Sequence, residues 1–595
     1  MNVLFAEIEE GCTMYKFKIN SINANSLNEN VIVPKKINVI VGPNNSGKSR
    51  LLKEIRDYLT GDITDLKIIN TIDFSMPTSF DELDESYDIN NKIIRDEYGN
   101  TTFKFYINKP DRIYDNSFSI DNYLTRNQPS FGGFDIANNT NEIISRENKI
   151  EFLRYFGGFF FQYLGTEERL MICKAQTNYG LNGNSINYLS SFRFDDVLLN
   201  ELAEYTKKLF NKDIVLDVHT LGSKLCFRVG EDLNYVKEKI NINQEIANRL
   251  NSEKLLDDQG DGLKSFVSTF MTLKQKKLDV LLLDEPEAFL HPPLAHQLGE
   301  MIGELDSDNR TIFVATHSAE ILKGILSKNN DVNVIRITRQ GNQNNSIKIL
   351  NKETLNTILL DPLLRVSRIL EGVFCDHMVI TESETDELIY QSLIEKVYPE
   401  VGISFVHGQN KQTLATIARL YKDIGINFDI VCDFDILRVS SELSSYLKIT
   451  DLDEKEKSKI VNYADKLRIN VNNFVGVSGI TDDEKESIQK SMRNEVYHKK
   501  GVRYFDQEMQ NRINDTLNLL SNHHIHILRT GELETILEKF DLDYKDKKIW
   551  ISEAIRKIYD LSKEELENDD NIMVLINAIV KNSSNISGES YLRRG

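Results

Sequence analysis

No run of roughly eighteen or more uncharged apolar residues occurs in the 595-residue chain, which excludes a membrane-spanning helix. Basic charge is missing at the start. Met1–Glu10 carries acids, no Lys or Arg and no long apolar core, so it does not read as a secretory leader. Cysteine is sparse. Cys12, Cys173, Cys226, Cys375 and Cys432 stand at neither CxxC nor other zinc spacing. They read as reduced, buried thiols of a cytoplasmic protein. Positive charge is in the minority overall: 72 Lys and Arg face 91 Asp and Glu, for a net −19. That excludes a chain-wide electrostatic coat for nucleic acid but leaves room for a local basic groove.

Apolar residues make up 40% of the chain, enough for a sizeable core. A length of this order suggests about three to five domains. Tyr15–Ile22 alternates apolar and polar residues like a half-buried strand. Lys36–Val41 is a short β-branched run, Gly42–Ser49 a glycine-rich turn, and Arg50–Tyr58 has helical spacing. From about residue 60 to 190 the pattern weakens, and the stretch is expected to be a variable insertion serving dimerisation or partner contact. Phe194–Phe210 is an expected amphipathic helix, and Asp213–Val229 expected strands about Gly222-Ser223. Leu278–Leu283 and Arg310–Ala315 are continuous apolar strands of a buried parallel sheet. The texture changes near Asn351–Pro362, dividing the chain into residues 1–350 and 351–595. Beyond it, Leu355–Val373 is expected to be helical, and His377–Ile380 and Asp429–Cys432 are strands each followed by acids, a second α/β unit. Asp451–Lys459 and Thr481–Lys490 read as charged helical surfaces.

Gly42-Pro-Asn44-Asn45-Ser46-Gly47-Lys48-Ser49 fits GxxxxGK[ST]. Its glycines let successive N–H groups turn toward phosphates, Lys48 reaches the β- and γ-phosphates, and Ser49 is a magnesium ligand. Four apolar residues, Val280–Leu283, deliver Asp284 to a strand end beside this loop as a second magnesium ligand. Glu285 follows as the group that polarises the attacking water. His317, after the next apolar strand, suits a γ-phosphate sensor. These segments, with Leu290-His291-Pro292 and Ala-Thr-His317-Ser, resemble ABC-type ATPases of the SMC-like class. The resemblance implies ATP and Mg²⁺ as ligands, a D-loop at Glu287–His291, and a composite site closed by the neighbour's signature segment. The counterpart here is Asp258–Ser265, with Gly262 and Ser265 as nucleotide contacts, although it departs from LSGGQ. A homodimer or higher homo-oligomer follows.

The second constellation is acidic. Ile380-Thr-Glu382-Ser-Glu384-Thr-Asp386 follows one strand and Asp433-Phe-Asp435 another. DxD on an extended chain puts both carboxylates on one face, and Glu382 joins them if the strands are neighbours. Hard oxygen donors of this kind suit Mg²⁺ or Mn²⁺ and phosphodiester chemistry. The order of Glu and DxD over Val379–Arg438 resembles a TOPRIM domain, with Ser383 where that family has glycine. An SMC-like ATPase followed by TOPRIM resembles the OLD (overcoming lysogenisation defect) family of nucleases. That resemblance implies an ATP-regulated, metal-dependent endonuclease, DNA as substrate, a role in bacterial anti-phage defence, and a helicase or a retron reverse transcriptase with its DNA as accessory partner. It also implies further site members: Gly408 with the helix Thr413–Ile424, Asp386 and Glu534 among the metal ligands, and Lys581, or Lys539, as the basic catalytic residue.

Two other readings stay open: a sensor or scaffold ATPase whose TOPRIM-like domain binds without cutting, and a TOPRIM ribonuclease. A topoisomerase or primase lacks its tyrosine or zinc motif here. His498–Arg503 reads as a solvated basic loop, and His523-His524-Ile525-His526 as a strand leading to the Glu534 helix.

Overall fold

A computed structural model of the chain describes residues 17–26, 31–76, 93–95, 101–109, 112–119, 160–177, 195–222, 224–233, 243–274, 278–305, 310–340, 344–350, 368–408, 411–438, 440–473, 501–505, 507–544 and 547–587, with a few single positions between 150 and 193. The chain divides into two compact units. Met1–Val41, Asn45–Ile337 and Asn345–Ile349 form the first; Leu350–Gly595 with Gly42–Asn44 and Thr338–Asn344 forms the second. Among the described residues no helix is long and apolar enough to cross a membrane.

The first unit is built on a six-stranded sheet. Its order is Asn344–Ile349, Val332–Gln340, Ile37–Val41, Thr311–Ala315, Val280–Asp284, Phe161–Leu164. Each strand from Val332–Gln340 to Phe161–Leu164 runs parallel to its neighbours in that span. Ile37–Val41, Val280–Asp284 and Thr311–Ala315 are buried at every position, as strands covered on both faces must be. The strand carrying Asp284 is one strand removed from the phosphate-loop strand, with Thr311–Ala315 between them. The register pairs Asp284 with Ala315 and Ala315 with Ile40. The three strands thus end level, and Gly42, Glu285 and Thr316 leave the sheet along one edge.

The weakly patterned stretch from 60 to 190 is not wholly an insertion. Ile69–Ser75 pairs with Lys18–Ala24, and Phe161–Leu164 is the sheet strand next to Val280–Asp284. A four-residue strand buried throughout leaves no period to read. Antiparallel strands Ile93–Arg95, Thr101–Lys109 and Arg112–Ser119 form a separate small sheet. Most of the helix expected at Leu355–Val373 falls outside the described residues; its end, Arg368–Phe374, is a 3₁₀ turn. Thr481–Lys490 also lies outside them.

The second unit has a parallel four-stranded sheet in the order Ile403–His407, His377–Thr381, Asn427–Cys432, Ile525–Ile527. Helix Glu384–Val397 and the helices Lys547–Asp560 and Asp570–Ser587 pack one core with it, through Ile389, Leu393, Trp550, Ile558 and Ile576.

The histidine tract closes this sheet. Asp429, wholly buried, accepts from His377 Nε2 at 2.7 Å, His526 Nε2 at 2.9 Å, His524 Nδ1 at 3.0 Å and Asn582 Nδ2 at 2.7 Å. Burial alone would raise this carboxyl; the histidine donors hold it well below the usual carboxylate range. The hydrogen bond to Asp429 in turn raises the half-exposed His524 above its ordinary value. The stability His524 contributes is therefore full below about pH 6.5 and is lost as pH rises through its folded value. As pH rises above about 6.5 the denaturation midpoint of the wild type should fall relative to that of His524→Gln. Parallel curves would remove His524 from this role.

Candidate functional site

The phosphate loop bends where its sequence permits. Gly42, Asn45 and Gly47 have φ of 147°, 60° and 104°. Gly47 is required on two counts: its left-handed backbone, and Ile68 Cδ1 only 3.2 Å from where a Cβ would stand. Helix Lys48–Leu59 starts there, with its N-terminal dipole toward the loop and Lys48 buried at 3% exposure. Ser49 Oγ donates to Asp284 Oδ1 at 2.8 Å, so the two expected magnesium ligands meet across the intervening strand. A hydroxyl and a carboxylate with a neighbouring ammonium fit the Mg²⁺ of a nucleotide, where the ion would neutralise phosphate charge.

Glu285 takes up φ 49°, a left-handed conformation that is unfavourable for a residue with a side chain. Three contacts hold it. Its N–H donates to Ala315 O at 2.8 Å, and Arg169 donates through Nη1 to Asp284 O at 2.7 Å and through Nη2 to Glu285 O at 2.8 Å. Arg169 is wholly buried on the helix Thr166–Ile172 that follows Phe161–Leu164. Tyr163 OH donates to Asp284 Oδ2 at 2.8 Å; burial and the Asp284 charge push its phenol up, so it stays a donor. His317 Nε2 lies 3.3 Å from Glu285 Oε1, and burial, then the Lys48 charge, lower its pKa and favour the neutral ring. Glu287 Oε1 accepts from Thr316 Oγ1 at 2.7 Å and His317 N at 2.8 Å, fixing the backbone of the sensor histidine.

Tyr163, Arg169 and Glu287 were not singled out for these roles from sequence, because the four-residue strand that places Tyr163 and leads to Arg169 carries no readable period. Arg169→Met should lower the ATP turnover number by roughly tenfold or more with little change in KM, because it loosens the turn carrying Glu285 without touching nucleotide. Arg169→Lys should not rescue it, since an ammonium cannot span two carbonyls as a guanidinium does. A KM effect with unchanged turnover would contradict this.

The signature-like segment is only partly as expected. Gly262 lies in the first turn of helix Asp261–Lys274, where a Cβ would come within 2.8 Å of Phe289 O in the D-loop. Ser265 is corrected: it is wholly buried, one turn into that helix among Leu263, Phe266 and Val267. Its hydroxyl cannot reach a neighbour's nucleotide in this conformation.

In the second unit the neighbouring strands His377–Thr381 and Asn427–Cys432 deliver Glu382 and Asp433 to the same sheet edge. Asp433 N donates to Glu382 Oε1 at 3.1 Å. The DxD is not extended, as its spacing suggested. The strand stops at Cys432, Phe434–Arg438 is a 3₁₀ turn, and Phe434 is wholly buried as its anchor. Burial pushes Glu382 up to about 7; burial and then the Glu382 charge push Asp433 up to about 9. Such carboxyls lack positive charge. Lys411, the first residue of helix Lys411–Ile424, pairs with Asp435 and lies 4.0 Å from Glu382 Oε2. Among the described residues no three His, Cys, Asp or Glu side chains converge tightly enough to hold a metal. The donor chemistry, crowded hard oxygens short of cation, nevertheless fits Mg²⁺ or Mn²⁺, with Glu382, Asp433 and Asp435 as the holders.

The other expected members fare differently. Asp386 Oδ2 accepts from Ser383 N at 2.9 Å and Ser383 Oγ at 2.8 Å, so one of its oxygens serves a capping box. This also explains the absent glycine: Ser383, at φ −138°, is an ordinary N-cap. Gly408 N donates to Thr381 O at 2.9 Å, bringing its loop to the Glu382 edge. Glu534 stands in the short helix Leu533–Ile536, and Gly531 O accepts from Phe434 N at 2.8 Å, but no hydrogen bond joins its carboxylate to the acids. Lys581 is not brought to them either. It is exposed, and the next residue bonds Asp429, inside the strand and four positions before Asp433. Lys539 pairs with Asp569 at 3.3 Å.

A family model described as "AAA domain, putative AbiEii toxin, Type IV TA system" matches residues 37–323, and one described as "Overcoming lysogenization defect protein-like, TOPRIM domain" matches residues 373–435. The chain is similar to a "Putative ABC transporter ATP-binding protein" of Methanosarcina acetivorans, 32% identical over 144 residues, 22% of this chain and 51% of that protein. It is also similar to the Old nuclease of Escherichia phage P2, 22% identical over 172 residues, 27% of this chain and 29% of the nuclease. The matched region thus spans about half of the first relative and less of the second. Among solved structures, an SMC head bound to the C-winged helix domain of ScpA aligns over 57% of this chain and 99% of its own, at 12% identity and a TM-score of 0.34.

Proposed function

We propose that this chain, in which an AAA-type ATPase domain is joined to an OLD-like TOPRIM domain, is an ATP-hydrolysing, divalent-metal-dependent endonuclease acting on DNA as part of a cytoplasmic defence against phage. The observation that carries the nuclease reading is that neighbouring strands bring Glu382 and Asp433 to one sheet edge, where Lys411 pairs with Asp435 and lies 4.0 Å from Glu382. The ATPase reading rests on Ser49 bonded to Asp284, with Glu285 and His317 beside them. A bound divalent cation would activate water and stabilise the leaving oxygen. The chain's own part is to hold that cation with the three carboxylates and to orient them through the Asp433 N–H bond. Assembly as a homodimer is supported by Phe289, 52% exposed at φ 69° in the D-loop.

Incubating the purified chain with Mg²⁺ or Mn²⁺ and either DNA or RNA, with and without ATP, tests this reading. Metal-dependent DNA cleavage is expected. Cleavage of RNA alone would make it a ribonuclease, and binding without cleavage would return the TOPRIM domain to a sensor or scaffold. Light scattering with ATP should find at least a dimer; a strict monomer would remove the composite site.

A further inference from the structure

Among the described residues it is Lys411, and neither Lys581 nor Lys539, that pairs with the acidic edge. Three facts single out Lys411. Its ammonium pairs with Asp435 and is 4.0 Å from Glu382 Oε2, touching two of the three expected metal holders at once. Its backbone is pinned, because Tyr446 OH donates to Lys411 O at 2.9 Å and the Gly408 loop is tied to Thr381. Its side chain is 22% exposed, so the charge is sheltered but not sealed in.

A divalent cation held by these carboxylates would compete with Lys411 for the same oxygens. We propose that Lys411 is the built-in counter-ion of the TOPRIM site: it holds Asp435 and Glu382 in the metal-free protein, and cation entry releases its ammonium toward the phosphodiester. The inference rests on the nuclease reading above. Lys411 forms and breaks no covalent bond; it shifts one positive charge on a flexible four-carbon stem from carboxylate to phosphate oxygen. Its position just inside the helix start at 411 and 24 residues before Asp435 explains why sequence spacing does not reveal it.

The test separates metal binding from cutting. Mn²⁺ is titrated calorimetrically into the full chain carrying Asp284→Asn, which silences the other carboxylate site, with and without Lys411→Met. Removing the competing charge should tighten Mn²⁺ binding by about tenfold or more, while DNA cleavage by Lys411→Met in the otherwise wild-type chain falls by about a hundredfold. Lys411→Arg, which keeps the charge, should bind Mn²⁺ as the parent does and cut better than Lys411→Met. If Lys411→Met does not fold, judged by its melting curve, Lys411→Gln takes its place in both measurements. Unchanged or weaker Mn²⁺ binding, or cleavage at the parental rate, would overturn the proposal. Tighter Mn²⁺ binding in a chain whose wild type cuts nothing would support the counter-ion and sink the nuclease reading instead.

Discussion

Glu285→Gln should bind ATP as the wild type does and hydrolyse it roughly a hundred- to a thousandfold more slowly. The amide keeps the shape of the side chain and its place against His317 but loses the charge that polarises water. The structure makes this residue more than the neighbour of a magnesium ligand. Its φ of 49° is held by Ala315 O and by the fully buried Arg169, an arrangement with no evident packing purpose. Strain held in place by dedicated contacts is what a positioned catalytic group requires. Lys48→Ala should instead weaken nucleotide binding as well, because it removes charge from the β- and γ-phosphates. Steady-state hydrolysis and fluorescent-nucleotide titration distinguish the two. Turnover by Glu285→Gln within about threefold of wild type would show that another group activates the water.

Asp433→Asn and Asp435→Asn should each lower nucleic-acid cleavage by roughly a thousandfold while ATP hydrolysis changes by less than about twofold. Glu382, Asp433 and Asp435 lie in the second compact unit and Ser49, Asp284 and Glu285 in the first, so each mutant should lose one chemistry only. The change to Asn is informative at Asp433. Burial and the Glu382 charge already push this carboxyl up to about 9, so an uncharged isostere is tolerated by the fold and subtracts only the anion. A melting temperature at or above that of the wild type is the matching expectation. Chelation stops both activities and cannot separate them. Cleavage that persists in the double variant Asp433→Asn/Asp435→Asn would assign the cutting to other residues.

Much of both sites could be read directly from the chain because each depends on contiguous residues. Gly42–Ser49 and Asp284–Glu285 carry their chemistry in unbroken motifs, and the apolar strands before them state where each motif sits. Glu382 and Asp433 were paired from sequence on the condition that their strands be neighbours, and they are. What escaped depends on residues that meet only in three dimensions. Arg169 reaches Asp284 from 115 positions away, out of a stretch with little periodicity. The DxD spacing could not reveal that Phe434 turns inward and breaks the extended chain. Ser265 looked like a nucleotide contact because a helix face is invisible in a short motif; the buried residues around it decide the face. Asp429 passed as part of an apolar run, since two of its three histidines arrive about a hundred positions later.

That last delay bears on synthesis. On the ribosome, the strand Asn427–Cys432 emerges long before His524, His526 and Asn582, which share the charge of Asp429. Until then, packing the strand would bury a carboxylate with only His377 to answer it, which is strongly unfavourable. Docking this strand before residue 582 has been made is therefore less favourable than docking it afterwards. A product truncated before His524 keeps the ATPase motifs but lacks three of the four side chains that donate to Asp429.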